Sequence, residues 1–246
     1  MSLEQTFTEI YRSSLWGSKE SRSGPTSSLE RTSQLRDNLP TLFKTLEITS
    51  IFDAGCGDWN WMRSVNLTGI RYIGADIVAP LIETLQTTYT SSNVHFQKMN
   101  ILAEPPETAD LWLLRDVANV YSWAEIDTLI EKFLDSGSRF LAITTIETES
   151  SEQPVDTQTP SWHPVDFFKE PFSFPQPILR LDDGQQWFRK KELVVFSRGS
   201  LETWKESRLS TSEVGQVSSV HGKQGRNAHL VSNVSLRSVE LRGHTA

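Results

Sequence analysis

The sequence predicts an α/β protein with a mostly parallel sheet, and three observations predict it. From Ile48 onward, short apolar runs alternate with helical patterns at the spacing of βαβ units. The first run, Ser50-Ile-Phe-Asp-Ala, leads straight into Gly55-Cys-Gly-Asp58, where two glycines allow turn dihedrals and close approach to the backbone. The chemically interesting polar residues Asp53, Asp76, Asn100 and Asp116 fall at or just beyond strand ends, where such sheets bind ligands.

Taken in order, residues 3–13 place Leu3, Phe7, Ile10 and Tyr11 at helical spacing and predict a short amphipathic helix. Leu15 to Ser28 (LWGSKESRSGPTSS) is small and polar, and two readings stay open: a solvated connection, or a lid with Trp16 as its apolar cover. A helix resumes near Ser28 as N-cap, with Leu29, Leu35, Leu39, Leu42, Phe43 and Leu46 as its stripe and Pro40 kinking or splitting it. Strands are predicted at Ser50–Ala54, Tyr72–Ile77, Val94–Met99, Asp110–Leu114 and Arg139–Thr145. Helices are predicted between them, at Trp59–Val65, Ala79–Tyr89 and Trp123–Leu134. Residues 148–164 read as a polar loop, Phe167–Ile178 as an extended aromatic stretch, and Lys191–Ser197 as a further strand. Beyond Arg198 the apolar density falls, so residues 199–246 are expected to form a poorly ordered tail.

Composition excludes several classes. A chain of 246 residues suffices for one α/β domain, and a net charge of −7 opposes binding to a nucleic-acid backbone. Cys56 is the only cysteine, so no intramolecular disulfide forms and a reducing cytoplasm is expected. Residues 1–20 lack a signal-peptide pattern, and no apolar run approaches the roughly 20 residues of a membrane span. The expectation is a soluble cytoplasmic protein without an integral membrane segment.

The glycine turn admits four readings. It can be an ordinary tight turn. A dinucleotide fingerprint needs a third glycine where Asn60 stands, and a P-loop needs a Lys-Ser/Thr pair that does not follow. The remaining ligand wants two glycines and carboxylates. Asp76, with Ile77 beside it, can accept from both hydroxyls of a ribose, and Asn100, with Ile101, can meet an adenine edge. Asp53 and Asp58 favour an amino or sulfonium group. Together these describe a pocket for an adenosyl group with a cationic tail, which is S-adenosylmethionine.

The runs FDAGCGD, GADIV, MNI and LLRD, in that order, resemble the motifs of class I S-adenosylmethionine-dependent methyltransferases. A closer likeness covers most of residues 7–198, through FTEIYRSSLWGSKESRSGPTSSLERTSQLRDNLP, DAGCGDWNWM, ADLWLLRDVANVYSW, SGSRFLAITT and EPFSFPQPI. It is to small bacterial methyltransferases associated with glycan modification. The resemblance implies a Rossmann-like fold whose seven-stranded sheet, mostly parallel with the last strand antiparallel, carries helices on both faces. It implies cofactor lying over Gly55 and Gly57, Asp76 at the ribose and Asn100 at the adenine. It also implies O-methylation of a sugar hydroxyl in a glycan or lipo-oligosaccharide acceptor, with the 2-hydroxyl of fucose in a lipochitin-oligosaccharide nodulation signal as the specific expectation. Residues 1–47 then form N-terminal helices and lid, 48–198 the catalytic domain, and 199–246 the tail.

A sugar hydroxyl is a weak nucleophile, and a general base is worth about 10²–10⁴-fold. The candidates are Asp116 and His163. Asp116 either serves as base or caps the following turn, and His163 either reaches the acceptor or lies exposed in its loop. Arg115 contacts cofactor or acceptor, or forms an ion pair. Trp162, Tyr121 and Trp123 form either a sugar-stacking wall or core packing. Relatives are expected to carry histidine where Val120 stands. That departure motivates a second hypothesis, an adenosyl-binding module without catalysis. No metal ligand set is expected.

Overall fold

The computed structural model describes residues 1–16, 18–149, 162–186 and 189–221. Contacts divide the chain into two units, Met1–Lys205 and Glu206–Ala246. The first holds a seven-stranded sheet; in the second, residues 206–221 are described and are helical.

The strands are β1 (Ser50–Ala54), β2 (Arg71–Asp76), β3 (Val94–Lys98), β4 (Leu111–Leu114), β5 (Phe140–Ile146), β6 (Leu179–Gln186) and β7 (Arg189–Ser197). Their spatial order is β3-β2-β1-β4-β5-β7-β6. Strands β1 to β5 pair in parallel, whereas β7 runs antiparallel to both its neighbours, β5 and β6. The sheet is therefore mixed, with a single reversed strand. Every residue of β4 and nearly every residue of β1 and β5 is buried. Since successive side chains point to opposite faces, such strands must be covered on both sides.

The helices are α1 (Leu3–Ser13), α2 (Ser33–Thr45), α3 (Ala79–Tyr89), α4 (Trp123–Asp135) and α5 (Arg198–His221). Capping boxes start α1 (Ser2 with Gln5) and α4 (Ser122 with Glu125), each worth about 1 kcal/mol. Helix α3 packs on β2 and β3 and also touches α1. None of the described helices is long and apolar enough to cross a membrane.

Four expectations need correction. Helix α2 starts at Ser33 rather than near Ser28, because residues 28–32 turn first, and it continues unsplit through Pro40. Residues 59–65 are not an α-helix: Trp59 adopts a left-handed φ of 57°, and only Met62–Ser64 form a 3₁₀ turn. Trp59, Asn60, Trp61 and Met62 are all buried, which a surface α-helix cannot do with four consecutive residues. Strand β6 was hidden by Asp182-Asp183-Gly184, where the register shifts between Asp182 and Gln185. The expected tail begins as α5, with Leu201 and Trp204 buried and the Trp204 indole N–H donating to Phe172 O at 2.7 Å. Residues 222–246 lie outside the described residues, as does most of the predicted loop 148–164.

Candidate functional site

The chain leaves β1 for β2 and β3 on one side, then crosses to β4 on the other, so a crevice opens beyond the carboxyl ends of β1 and β4. A cavity lies there. Its floor is Asp53 of β1 with Gly55, Cys56 and Gly57 beyond it, Asp76 at the end of β2 with Ile77 beyond it, Met99, Asn100 and Ile101 after β3, and Arg115, Asp116 and Val117 after β4. Phe7 and Tyr11 of α1, together with Trp16, Arg22, Ser23 and Ser27, close it from the N-terminal side. Val120 and Tyr121 add to its wall, and Phe7 meets both Trp16 and Tyr121 edge-on at 6.2 and 6.3 Å between ring centroids.

The glycine turn is tied to β2. Gly55 and Cys56 N–H donate to Ala75 O at 2.8 and 2.9 Å, and Gly57 N–H donates to Asp76 Oδ2 at 3.1 Å. Both glycines have positive φ, 87° and 57°. A Cβ on Gly55 would lie 2.6 Å from Val117 Cγ2, and one on Gly57 would run into Ser23 Oγ. The missing side chain at Gly57 therefore makes room first for the chain's own loop. Asp76 also accepts from Val78 N–H, through Oδ1 at 3.0 Å. Each carboxylate oxygen has two lone pairs, so one on each is left for a ligand hydroxyl. Burial raises its pKa, against which the Val78 and Gly57 N–H groups pull downward. At Asn100 the carboxamide oxygen accepts from Leu102 N–H at 3.1 Å, leaving the NH₂ and one lone pair of the oxygen for a ligand.

Residues 18–28 form a cover rather than a free connection. Asp58 accepts from Ser21 Oγ (2.9 Å), Arg22 N (2.7 Å) and Ser23 Oγ (3.1 Å). The buried Asn60 carboxamide donates to Ser27 O at 3.0 Å and Glu20 Oε1 at 2.9 Å. Thr26 Oγ1 donates to Asp116 Oδ2 at 2.9 Å, and Arg115 Nη2 donates to Thr26 O at 2.9 Å. Asp58 does not line the cavity; its carboxylate is spent on the cover. Asn60, whose identity excluded a dinucleotide, turns out to pin the same cover.

Behind the cover sits a buried cluster of four charges. The Arg115 guanidinium grips Asp183 of β6 with two bonds of 2.9 and 2.8 Å and lies 4.9 Å from the centroid of Trp61. Lys191 of β7, only 1% exposed, donates to Asp116 at 2.6 Å and reaches Asp183 at 3.0 Å. Two cations thus meet two carboxylates. Burial alone would raise the Asp116 pKa, but Lys191 and then Arg115 outweigh it and hold the carboxyl at about 2. Asp116 carries φ 58°, a conformation that aspartate tolerates better than most residues. Asp53 is opposite in character: burial lifts its pKa to about 7, with the Tyr72 hydroxyl (2.6 Å) and Arg115 pulling down.

Of the residues singled out by sequence, Trp16, Asp53, Gly55, Gly57, Asp76, Ile77, Asn100, Ile101, Arg115 and Asp116 line one cavity, and Asp58 and His163 do not. His163 is buried rather than exposed, and its backbone exchanges bonds with Asn119: His163 N–H to Asn119 O, and Asn119 Nδ2 to His163 O. The aromatic wall does not assemble. Tyr121 faces the cavity, Trp123 packs against Phe172, and Trp162 is 38% exposed without lining the cavity. Lys191 and Asp183 were missed. Period-two alternation puts Lys191 on the face of buried Leu193 and Val195, which was the available signal.

No family model and no curated protein match the chain. It is similar in structure to the 1,6-didemethyltoxoflavin-N1-methyltransferase of Burkholderia thailandensis with bound 1,6-didemethyltoxoflavin and S-adenosylhomocysteine. The TM-score is 0.57 at 14% identity, over 79% of this chain and 86% of that one. It is similar to human N-acetylserotonin methyltransferase in complex with S-adenosylmethionine, with a TM-score of 0.55, 16% identity and 80% of this chain covered. Here the match spans 60% of the human chain's length. A third similar structure is magnesium protoporphyrin IX methyltransferase of Synechocystis PCC 6803 with bound S-adenosylhomocysteine: TM-score 0.51, 14% identity, 79% of this chain and 95% of that one. The fold common to these proteins and this chain is the Rossmann-like α/β fold of S-adenosylmethionine-dependent methyltransferases.

Proposed function

We propose that this chain is a methyltransferase whose cavity holds S-adenosylmethionine and whose acceptor is a sugar hydroxyl. The observation that carries the cofactor reading is Asp76. Its carboxylate ends β2 beside the glycine turn, lines the cavity and keeps acceptor capacity for two ribose hydroxyls. Asn100, Ile101 and Ile77 offer an amide and two apolar surfaces to an adenine, and Asp53 faces the cavity where an amino group would need a carboxylate. The cofactor supplies an electrophilic methyl group on a sulfonium centre.

The sugar reading rests on the sequence likeness across residues 7–198, with the 2-hydroxyl of fucose in a nodulation signal as its specific form. The cavity supports a hydroxyl acceptor in one respect. Asp116 lines it with Oδ2 filled by Thr26 Oγ1 and Lys191 Nζ, so Oδ1 is the oxygen left to orient an alcohol. A carboxyl held at about 2 is a poor proton acceptor at neutral pH. Asp116 therefore orients the alcohol, and alignment supplies most of the rate. The same observation favours a second reading, an adenosyl-binding module without catalysis, since Val120 also lines the cavity.

Calorimetry and a labelled-methyl assay decide between them. The protein is expected to bind S-adenosylhomocysteine, and Asp76→Ala to lose most of that affinity. Label is expected in fucosylated chitin oligosaccharides and not in unfucosylated ones, with mass spectrometry locating the methyl. No cofactor binding to the unaltered protein sinks the whole reading. Binding without transfer to any glycan leaves the non-catalytic module.

A further inference from the structure

Three cations reach the cavity or the cluster behind it, and two are neutralised inside the protein. Arg115 is held by Asp183, and Lys191 by Asp116 and Asp183. The third, Arg22, lines the cavity, has an exposed side chain and forms no ion pair among the described residues. Yet it is not a loose surface arginine. Its backbone N–H is fixed by Asp58 at 2.7 Å, and its guanidinium lies 4.9 Å from the centroid of Tyr11, another cavity residue. Stacking on an aromatic face orients the guanidinium plane while leaving its edge N–H groups unsatisfied. An oriented guanidinium edge matches the two oxygens of a carboxylate. Asp53, which lines the same cavity, carries the opposite sign when ionised. Such a pair suits a zwitterion, with its ammonium toward Asp53 and its carboxylate toward Arg22.

We infer that Arg22 is the carboxylate-binding residue of this cavity. The inference rests on the cofactor reading above, and the carboxylate has two sources: the aminoacyl end of the cofactor, which the charge layout favours, or an acidic acceptor. Binding of S-adenosylhomocysteine and of 5′-methylthioadenosine, which lacks the aminoacyl end, is measured by calorimetry for the unaltered protein, Arg22→Gln and Arg22→Lys. Thermal melts establish that each variant is folded. The expected result is at least a tenfold loss of S-adenosylhomocysteine affinity in Arg22→Gln, a smaller loss in Arg22→Lys, and methylthioadenosine affinity unchanged within twofold. If neither nucleoside responds, saturation-transfer NMR of glucuronate on the S-adenosylhomocysteine-loaded protein tests the acceptor source, and a signal lost in Arg22→Gln assigns Arg22 to it. Equal weakening of both nucleosides means the substitution only loosens the cover, and no response in any arm means Arg22 binds no anion. Either outcome overturns the inference. An unaltered protein that binds neither nucleoside refutes the cofactor reading instead.

Discussion

At Asp53 and Asp116, two carboxylates of one cavity have been driven in opposite directions. Asp53 is desolvated with one strong donor, the Tyr72 hydroxyl; Asp116 is desolvated beside two cations. A folded-state pKa of about 7 at Asp53 means that the folded chain binds more protons than the unfolded one between about pH 4 and pH 7. This group therefore erodes stability as pH rises through that window. Asp53→Asn, which keeps an acceptor for Tyr72, is expected to melt higher than the unaltered protein at pH 8 and nearly level with it at pH 4. A cationic ligand reverses the penalty, so cofactor affinity is expected to strengthen from pH 6 to pH 8, with the slope flattened in Asp53→Asn. Calorimetry across that range checks both parts. Asn60 carries the second residue-scale prediction. Asn60→Ala removes two donors from the cover and is expected to cost about 1–3 kcal/mol. Limited proteolysis is expected to cut the variant faster within residues 18–28.

Between elements, the cluster joining β4, β6 and β7 explains both what was legible in the sequence and what was not. Strands β1, β4 and β5 announced themselves because strands buried on both faces are near-continuous apolar runs, and the half-exposed β2 and β3 by alternating apolar residues at βαβ spacing. Their carboxyl ends then located most of the cavity without further information. Strand β6 is different. Its Asp183 is buried, and of its neutralising partners Arg115 lies 68 residues away while Lys191 sits on the paired strand β7, so no apolar run marks it as interior. Asp58 was assigned to the ligand for a related reason: a carboxylate beside a glycine turn reads the same whether its donors come from a ligand or from Ser21 and Ser23. The pairing is testable. Lys191→Met leaves the buried Asp183 and the part-buried Asp116 with one cation and is expected to destabilise the protein by about 3–5 kcal/mol. Asp183→Asn combined with it is expected to cost less than the sum of the two, read by urea denaturation as a double-mutant cycle.

At the scale of the whole molecule, the sheet has a chemical end and a structural end. Opposite the cavity, Asp110 gathers the starts of β1, β4 and β5. It accepts from Thr49 N–H and Oγ1 at 2.8 and 2.7 Å, and pairs with Arg139 at 3.1 Å. Partial burial raises its pKa, but the Thr49 bonds and then Arg139 and Ser50 outweigh it and bring the carboxyl to about 2. The folded pKa lies below the unfolded one, so the contribution is complete above about pH 4 and disappears as pH falls through 2. Asp110→Ala is expected to lower stability by about 1–2 kcal/mol at pH 7, after screening at a partly exposed site, and by almost nothing at pH 2. Acid denaturation curves of the two proteins should converge. At the other end, bonds join Asp58, Asn60, Arg115 and Asp116 to residues 22–27 and hold the cover beside the cavity. A molecule in the proposed cofactor site would leave only as several of these bonds loosen, so the strap over the cavity would also work as a clock. If that molecule is the proposed cofactor, loosening Asn60 is expected to shorten the residence of the spent product before it changes the methyl-transfer step.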